Sequence, residues 1–190
     1  MTRRRKGEPK LMYCPEKTIP HTKKPSKAVQ LFAPEIEKDQ RVLDFGAGNL
    51  RNTNFLLERG LNVTPLDTAE VVKKWDGKFP KYTNPNTQYD WVFLNFVLNV
   101  LPQPERDVVF AKAYGATKRK GHLIVEVRSE RDVARNIKNP TPYKDGVITS
   151  KGTFQKGFNE KQLSNYLKNM GVEFKVFKMG DSLVANIFKE

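Results

Sequence analysis

The sequence predicts an α/β fold: a mostly parallel sheet with helices on both faces, ending in an antiparallel β-hairpin. Three observations predict it. The run RVLDF at Arg41–Phe45 is short, apolar and followed at once by Gly46, as a buried parallel strand would be. Strand-like and helix-like stretches then alternate along the chain. Finally, VEFKVFKMGDSLVANIFK reads as two strands joined at Gly180–Asp181.

The elements follow in order. Asn49–Arg59 is expected to be helical, with Phe55, Leu56 and Leu57 at helical spacing and Gly60 as the stop. LNVTPLD is a second strand and TAEVVKKW a short helix. Asp76–Gln88 is rich in Pro, Asn and Lys and holds at most a weak strand near Tyr82. YDWVFLNFVLNVL opens a strand that ends near Asn95. Glu105–Thr117 reads as a helix with Val108, Val109 and Ala113 inward. GHLIVEVR is another strand. Arg128–Lys156, with Pro140 and Pro142, is expected to be irregular. Asn159 caps a helix to Met170, whose buried face is Leu163, Tyr166 and Leu167.

The chain has 190 residues, enough for one domain with a sizeable core. No stretch is long and apolar enough to span a bilayer, and MTRRRKGEPK lacks an apolar signal segment, so a soluble, cytoplasmic protein is expected. A single cysteine, Cys14, excludes an internal disulfide and a cysteine metal cluster. With only His21 and His122 besides, neither a metal site nor a serine hydrolase relay is expected. The formal charge is +13. Residues 1–27 hold nine Lys and Arg against two Glu, and the remainder 25 against 19. We therefore separate a basic, partly disordered leader, 1–27, from a domain at 28–190. Such a leader suits either a nucleic-acid-binding arm or a solubilising tail.

In a doubly wound sheet, ligands bind at the carboxyl ends of the strands. Gly46 and Gly48 lie just past the first one. A dinucleotide fingerprint requires a third glycine three residues on, to bring a helix beneath a pyrophosphate. Here that position is Arg51, and Asp44 would repel the phosphates. An aspartate there suits a cation instead. S-adenosylmethionine carries a sulfonium and an ammonium and no phosphate. Asp67 ends the second strand, 19 residues after Gly48, placed for ribose hydroxyls. Asp44-Phe45-Gly46-Ala47-Gly48 with Asp67 resembles the first two motifs of Rossmann-like, class I S-adenosylmethionine-dependent methyltransferases, and the terminal hairpin agrees.

The resemblance extends further. FLNFVLNVLPQPERDVVFAKAY and DGVITSKGTFQKGFNEKQLSNYL are similar to segments of methyltransferases associated with DNA phosphorothioation systems, and TIPHTKKPSKAVQLF more loosely so. It runs from about Thr18 to Leu167. The family's Ser-Lys-Pro is here Ser26-Lys27-Ala28, and this chain is more compact than is typical. The resemblance implies S-adenosylmethionine as cofactor and nucleic-acid modification or defence as context.

The cofactor-binding set expected from these motifs is Asp44, Phe45, Gly46, Ala47, Gly48, Asp67, Thr68, Asn95 and Phe96. Asn95 and Asn99 are candidates for orienting the methyl acceptor. NFVL at Asn95 lacks the two prolines of amino-methylating DNA enzymes, and no cysteine stands there for carbon-5 chemistry. Arg128–Lys156 follows the fifth strand and hangs over the catalytic face. Its seven basic residues outnumber three acidic ones. The candidate substrate-binding residues there are Arg128, Arg131, Tyr143, Thr153, Phe154, Gln155 and Lys156. Tyr143 and Phe154 would add aromatic surface to a phosphate-binding patch. Thr153–Lys156 enters on the resemblance alone. Glu126 and Arg128 are assigned to opposite strand faces, one toward the acceptor. Lys118, Arg119 and Lys120 are assigned to a solvated turn on the far side of the sheet. Three functions stay open: methyl transfer to a nucleic acid or nucleotide, methyl transfer to a small molecule, and a catalytically silent nucleic-acid-binding module. Oligomeric state is not set by the sequence.

Overall fold

A computed structural model describes residues 17–19, 21–79 and 86–190. A six-stranded sheet carries the fold. Its strands are β1 (Arg41–Phe45), β2 (Asn62–Leu66), β3 (Tyr89–Asn95), β4 (Thr117–Arg128), β8 (Phe174–Met179) and β9 (Ser182–Phe188), in the order β2-β1-β3-β4-β9-β8. β1, β2, β3 and β4 run parallel, and β9 runs antiparallel to both its neighbours, β4 and β8. Strand order reverses between β1 and β3, so the carboxyl ends of these two strands flank a crevice.

Helices cover both faces. α4 (Gln103–Ala116) and α6 (Glu160–Asn169) pack Phe110, Ala113, Leu163 and Leu167 against Leu43, Val92, Leu94, Val125 and Ala185. On the other face, α1 (Lys27–Phe32) and α2 (Arg51–Leu57) bring Ala28, Val29, Phe32 and Leu56 onto Val42, Phe93, Ile124 and Val184. The side chains alternate along each strand, so one sheet serves two cores. Asn159 caps α6 in a capping box with Gln162, and Leu163, Tyr166 and Leu167 form its buried face, as the sequence indicates. No helix among the described residues is long and apolar enough to cross a membrane.

Several expectations need correction. α2 covers only Arg51–Leu57, and Leu57 faces outward while Leu56 is fully buried. TAEVVKKW forms α3 (Ala69–Val72) and a 3₁₀ turn. On α4 the inward positions are Arg106, Phe110, Ala113 and Ala116, and Val108 is exposed. The 106/110/113 stripe follows the helical period, which Val108 does not. Lys118, Arg119 and Lys120 are no turn: β4 begins at Thr117, and a register shift against Tyr89–Trp91 takes up the extra residues. They are exposed at the amino-terminal end of β4, and Lys118 pairs with Asp90 at 2.8 Å.

The largest correction concerns Arg128–Lys156. It is ordered as α5 (Glu130–Asn136) and a small antiparallel sheet of β5 (Thr141–Tyr143), β6 (Gly146–Ile148) and β7 (Phe154–Gln155). Ser129 caps α5, and Pro142 stands in a strand at the sheet's edge, where it removes no ladder donor from a central strand. The weak strand expected near Tyr82 and most of the leader lie outside the described residues.

Candidate active site

The glycine loop is pinned from three sides. Gly46 and Ala47 donate their N–H groups to Leu66 O at 2.7 and 3.0 Å. Asp67 Oδ2 accepts from the Gly48 N–H at 2.7 Å, and Oδ1 accepts from the Thr68 N–H at 2.7 Å. The Trp75 indole donates to Gly48 O at 2.9 Å. Gly46 and Gly48 have φ of 80° and 54°. At Gly46 a Cβ would collide with Val97, so glycine is required both for conformation and for this close approach.

Asp44, next to last in β1, is fully buried, and Thr53 of α2 donates its hydroxyl to Asp44 Oδ2 at 2.7 Å. Burial pushes the Asp44 carboxyl up to about 6, aided by the nearby Asp67 charge and opposed by the Thr53 hydrogen bond. Burial also raises Asp67, against the two backbone N–H groups that it accepts. Asn95 ends β3 on the Asp44 side of the sheet, since it alternates with Trp91 and Phe93 of that core. Both its amide atoms are buried without a hydrogen-bond partner. Phe96 follows with φ of 60°, its N–H bonded to Glu126 O, and the Arg51 guanidinium stands 5.7 Å over its ring. Val97 and Leu98 pack inward, Leu98 in full burial.

The segment before α1 lies along the start of α2. Asn49 Nδ2 donates to Thr22 O and Arg51 Nη1 to Lys24 O, each at 3.0 Å, and Asn52 Oδ1 accepts from the Ser26 N–H at 2.8 Å. Ile19 reaches within 3.5 Å of where a Cβ on Gly48 would sit. Arg51 is thus a tie for this strap. Glu126, buried on β4, holds the other end: it accepts from the Ala28 N–H and from the Ser182 hydroxyl. Burial raises its pKa despite these bonds. Sequence reasoning left Glu126 and Arg51 without these roles. Their partners lie on strands and turns distant in sequence.

The residues fit the sulfonium cofactor expected from the sequence. Two carboxylates, Asp44 and Asp67, stand at adjacent strand ends, an amide without partners ends the next strand, and the Arg51 guanidinium is engaged by the strap. That donor set favours a cation with hydroxyls over a pyrophosphate.

Beyond β4, the predicted acceptor residues divide. Asn99 and Gln155 come together: Asn99 Nδ2 donates to Gln155 Oε1 at 3.4 Å, while Asn99 Oδ1 is buried without a partner. Arg128 Nη1 donates to the same Gln155 oxygen at 3.2 Å, and its Nε to Asp132. Glu126 and Arg128, two residues apart, share one strand face, because side chains alternate with a period of two. Phe154 is buried against Gly146 and edge-on to Tyr143, so it offers no stacking surface. Thr153 is buried beside the Thr149 hydroxyl at 2.8 Å. Lys156 pairs with Asp145 at 3.6 Å and donates to its backbone oxygen. Arg131 remains exposed.

Arg106 holds this insert down. It is 1% exposed and donates to Leu98 O, Leu101 O and Asp145 Oδ2 at 3.0, 2.8 and 2.8 Å. It thereby ties the turn after β3 to the β5–β6 hairpin. The available sequence signal was its place four residues before the buried Phe110. His122 stacks on Trp91 at 4.3 Å and bonds Asn186, a structural role as expected.

A family profile described as a methyltransferase domain matches residues 19–174. No curated protein sequence matches the chain. Among solved structures, the PH0226 protein from Pyrococcus horikoshii OT3 aligns with a TM-score of 0.66 at 16% identity, over 85% of this chain and 87% of that one. The CcbJ methyltransferase from Streptomyces caelestis aligns at 0.64 and 16%, over 86% and 94%. The 1,6-didemethyltoxoflavin-N1-methyltransferase from Burkholderia thailandensis, solved with its substrate and S-adenosylhomocysteine, aligns at 0.62 and 17%, over 85% and 76%.

Proposed function

Because the chain belongs to the methyltransferase domain family and is an S-adenosylmethionine-dependent methyltransferase, we propose that it methylates a nucleic acid or nucleotide, in a modification or defence setting. The observation that carries the acceptor site is the Asn95 amide, buried at the end of β3 with neither atom partnered. Buried amides are satisfied in folded proteins, and an unsatisfied one costs roughly 1–3 kcal/mol. A bound ligand recovers that cost. Asn99 Oδ1, also unpartnered, needs a donor, which an N–H or O–H of the acceptor supplies.

Asp44 would face the cationic end of the cofactor and Asp67 the ribose, with Thr68 and Phe96 at its rim. Bound S-adenosylmethionine supplies an electrophilic methyl on sulfur. The chain's own part is to orient the acceptor lone pair, through Asn95 and Asn99, and to keep water out beneath the Arg106-clamped insert. The nucleic-acid class rests on the +13 charge, on exposed cations of the insert such as Arg131 and Lys138, and on the resemblance to phosphorothioation-associated enzymes. A second reading, a small-molecule acceptor, is favoured by two observations. The insert is folded and several of its cations are paired, and one structural neighbour was solved with 1,6-didemethyltoxoflavin. Transfer of tritiated methyl from S-adenosylmethionine to DNA, RNA and a metabolite extract decides. Label in nucleic acid supports the first reading, and label in metabolites alone replaces it with the second.

A further inference from the structure

α5 has no buried residue, although Val133, Ala134 and Ile137 align on one side of it. With Pro140, Val147 and Gly157 they line a cleft of about 260 Å³ between α5 and the small sheet. Glu130 completes the lining, but its two oxygens already accept from Asn159 and Gln162 side chains at 3.1 and 2.7 Å. The lining side chains therefore offer apolar surface and no free hydrogen-bonding group.

Position and charge say what fits. Val147 and Gln155 are partners across β6 and β7, so their side chains share one face of the small sheet. Gln155 reaches Asn99 and Arg128 on that face, which makes the cleft a neighbour of the acceptor amides. Its volume lies below the roughly 300–1,000 Å³ of pockets for drug-sized ligands, and suits a single ring system. Arg131 stands on α5 and Lys138 two residues past its end, on the segment that carries Ile137 and Pro140 of the lining, and both are exposed. The ion pairs of this helix engage Arg128 and Arg135 instead.

We infer that this cleft holds one unstacked base of single-stranded DNA next to the methylated position, with its flanking phosphates on Arg131 and Lys138. The inference rests on the nucleic-acid reading above. A base enters an apolar slot only once it leaves the stack, which excludes intact duplex as the preferred ligand. The lining side chains give a ribose 2′-hydroxyl no partner, which favours DNA over RNA.

Fluorescence anisotropy with a short labelled DNA strand tests it, alongside its duplex, its RNA counterpart and a strand carrying abasic sites. Ile137→Asp should weaken single-strand binding about tenfold and leave the abasic strand unaffected. Arg131→Ala with Lys138→Ala should lower the slope of log affinity against log salt by about 1.4, at about 0.7 per phosphate of a single strand. Changing Lys118, Arg119 and Lys120 together to Ala should change little, since they stand at the opposite end of β4. Affinity for S-adenosylmethionine reports folding in each case. If Ile137→Asp loses that affinity, Ala134→Asp carries the same charge into the cleft from an exposed position. Wild-type strength in these Asp variants, or tighter binding of duplex or RNA, overturns the proposal while the nucleic-acid reading stands. If the wild type binds no strand at all, both fall.

Discussion

Affinity for S-adenosylmethionine should depend on pH through Asp44. Burial brings that carboxyl to about 6, so below this value it is neutral and offers a cation no charge. Affinity should therefore rise with pH through about 6 and level off above it. At pH 5 roughly a tenth of the carboxyls are ionised, and the dissociation constant should be about tenfold above its plateau. Asp44→Asn removes the charge altogether. At an effective dielectric of about 20, a pair of unit charges some ångströms apart is worth roughly 3 kcal/mol, so binding should weaken on the order of a hundredfold and lose its pH dependence. The stability of the free protein should move the other way. A carboxyl raised on folding takes up a proton in the folded state, so its contribution is present below pH 4 and lost as pH rises to about 6. Asp44→Asn should thus unfold at higher denaturant than wild type at pH 7. Calorimetric titrations between pH 5 and pH 7, with both proteins, check this. A flat wild-type profile, or an Asp44→Asn profile with the wild-type slope, refutes the reasoning.

Other variants probe the rest of the site. Asp67→Ala removes the acceptor of the Gly48 and Thr68 N–H groups as well as the proposed ribose contact, and should weaken cofactor binding by about 2–3 kcal/mol in the same titration. Asn95→Leu replaces an unpartnered buried amide with an apolar group of similar shape. It should raise the unfolding free energy by about 1 kcal/mol and cut methyl transfer a hundredfold or more, and a destabilised variant would show that the amide has a partner. Arg106→Met leaves two carbonyls without their donor and Asp145 with the longer Lys156 pair alone, and should cost about 3–5 kcal/mol in denaturant unfolding. Adding Asp145→Asn should return part of that loss, and simple additivity would mean the pair is uncoupled.

β1, β2 and β3 were legible as short apolar runs ending in Gly, Asp or Asn, β4 as the apolar run HLIVEV, and the hairpin by its Gly180–Asp181 turn. Asp44, Gly46, Gly48 and Asp67 were legible as strand-end positions, which is where this topology puts ligands. The Arg128–Lys156 segment was not, because its strands have only two or three residues and its prolines sit on an edge. No period develops over so short a stretch. Val108 was misplaced for a related reason: apolar identity drew it inward, and the helical period points it to solvent. Arg106 went unseen because a charged side chain is expected outside, and only its spacing from Phe110 argued otherwise. The strap contacts are long-range pairings of side chains with backbone, which leave no local pattern.

That strap bears on what the fold can become. Its carbonyls at Thr22 and Lys24 occupy Asn49 and Arg51, and Ser26 occupies Asn52, at the start of the helix that follows the glycine loop. In a dinucleotide enzyme the corresponding helix start faces a diphosphate. Arg51→Gly would complete the three-glycine spacing, yet the helix start would still be covered and Asp44 would still repel the ligand. A switch of cofactor would need the strap moved, the guanidinium removed and the aspartate neutralised together, and each single step weakens the existing site before it gains a new one. This architecture is therefore a dead end for gradual drift toward nicotinamide chemistry.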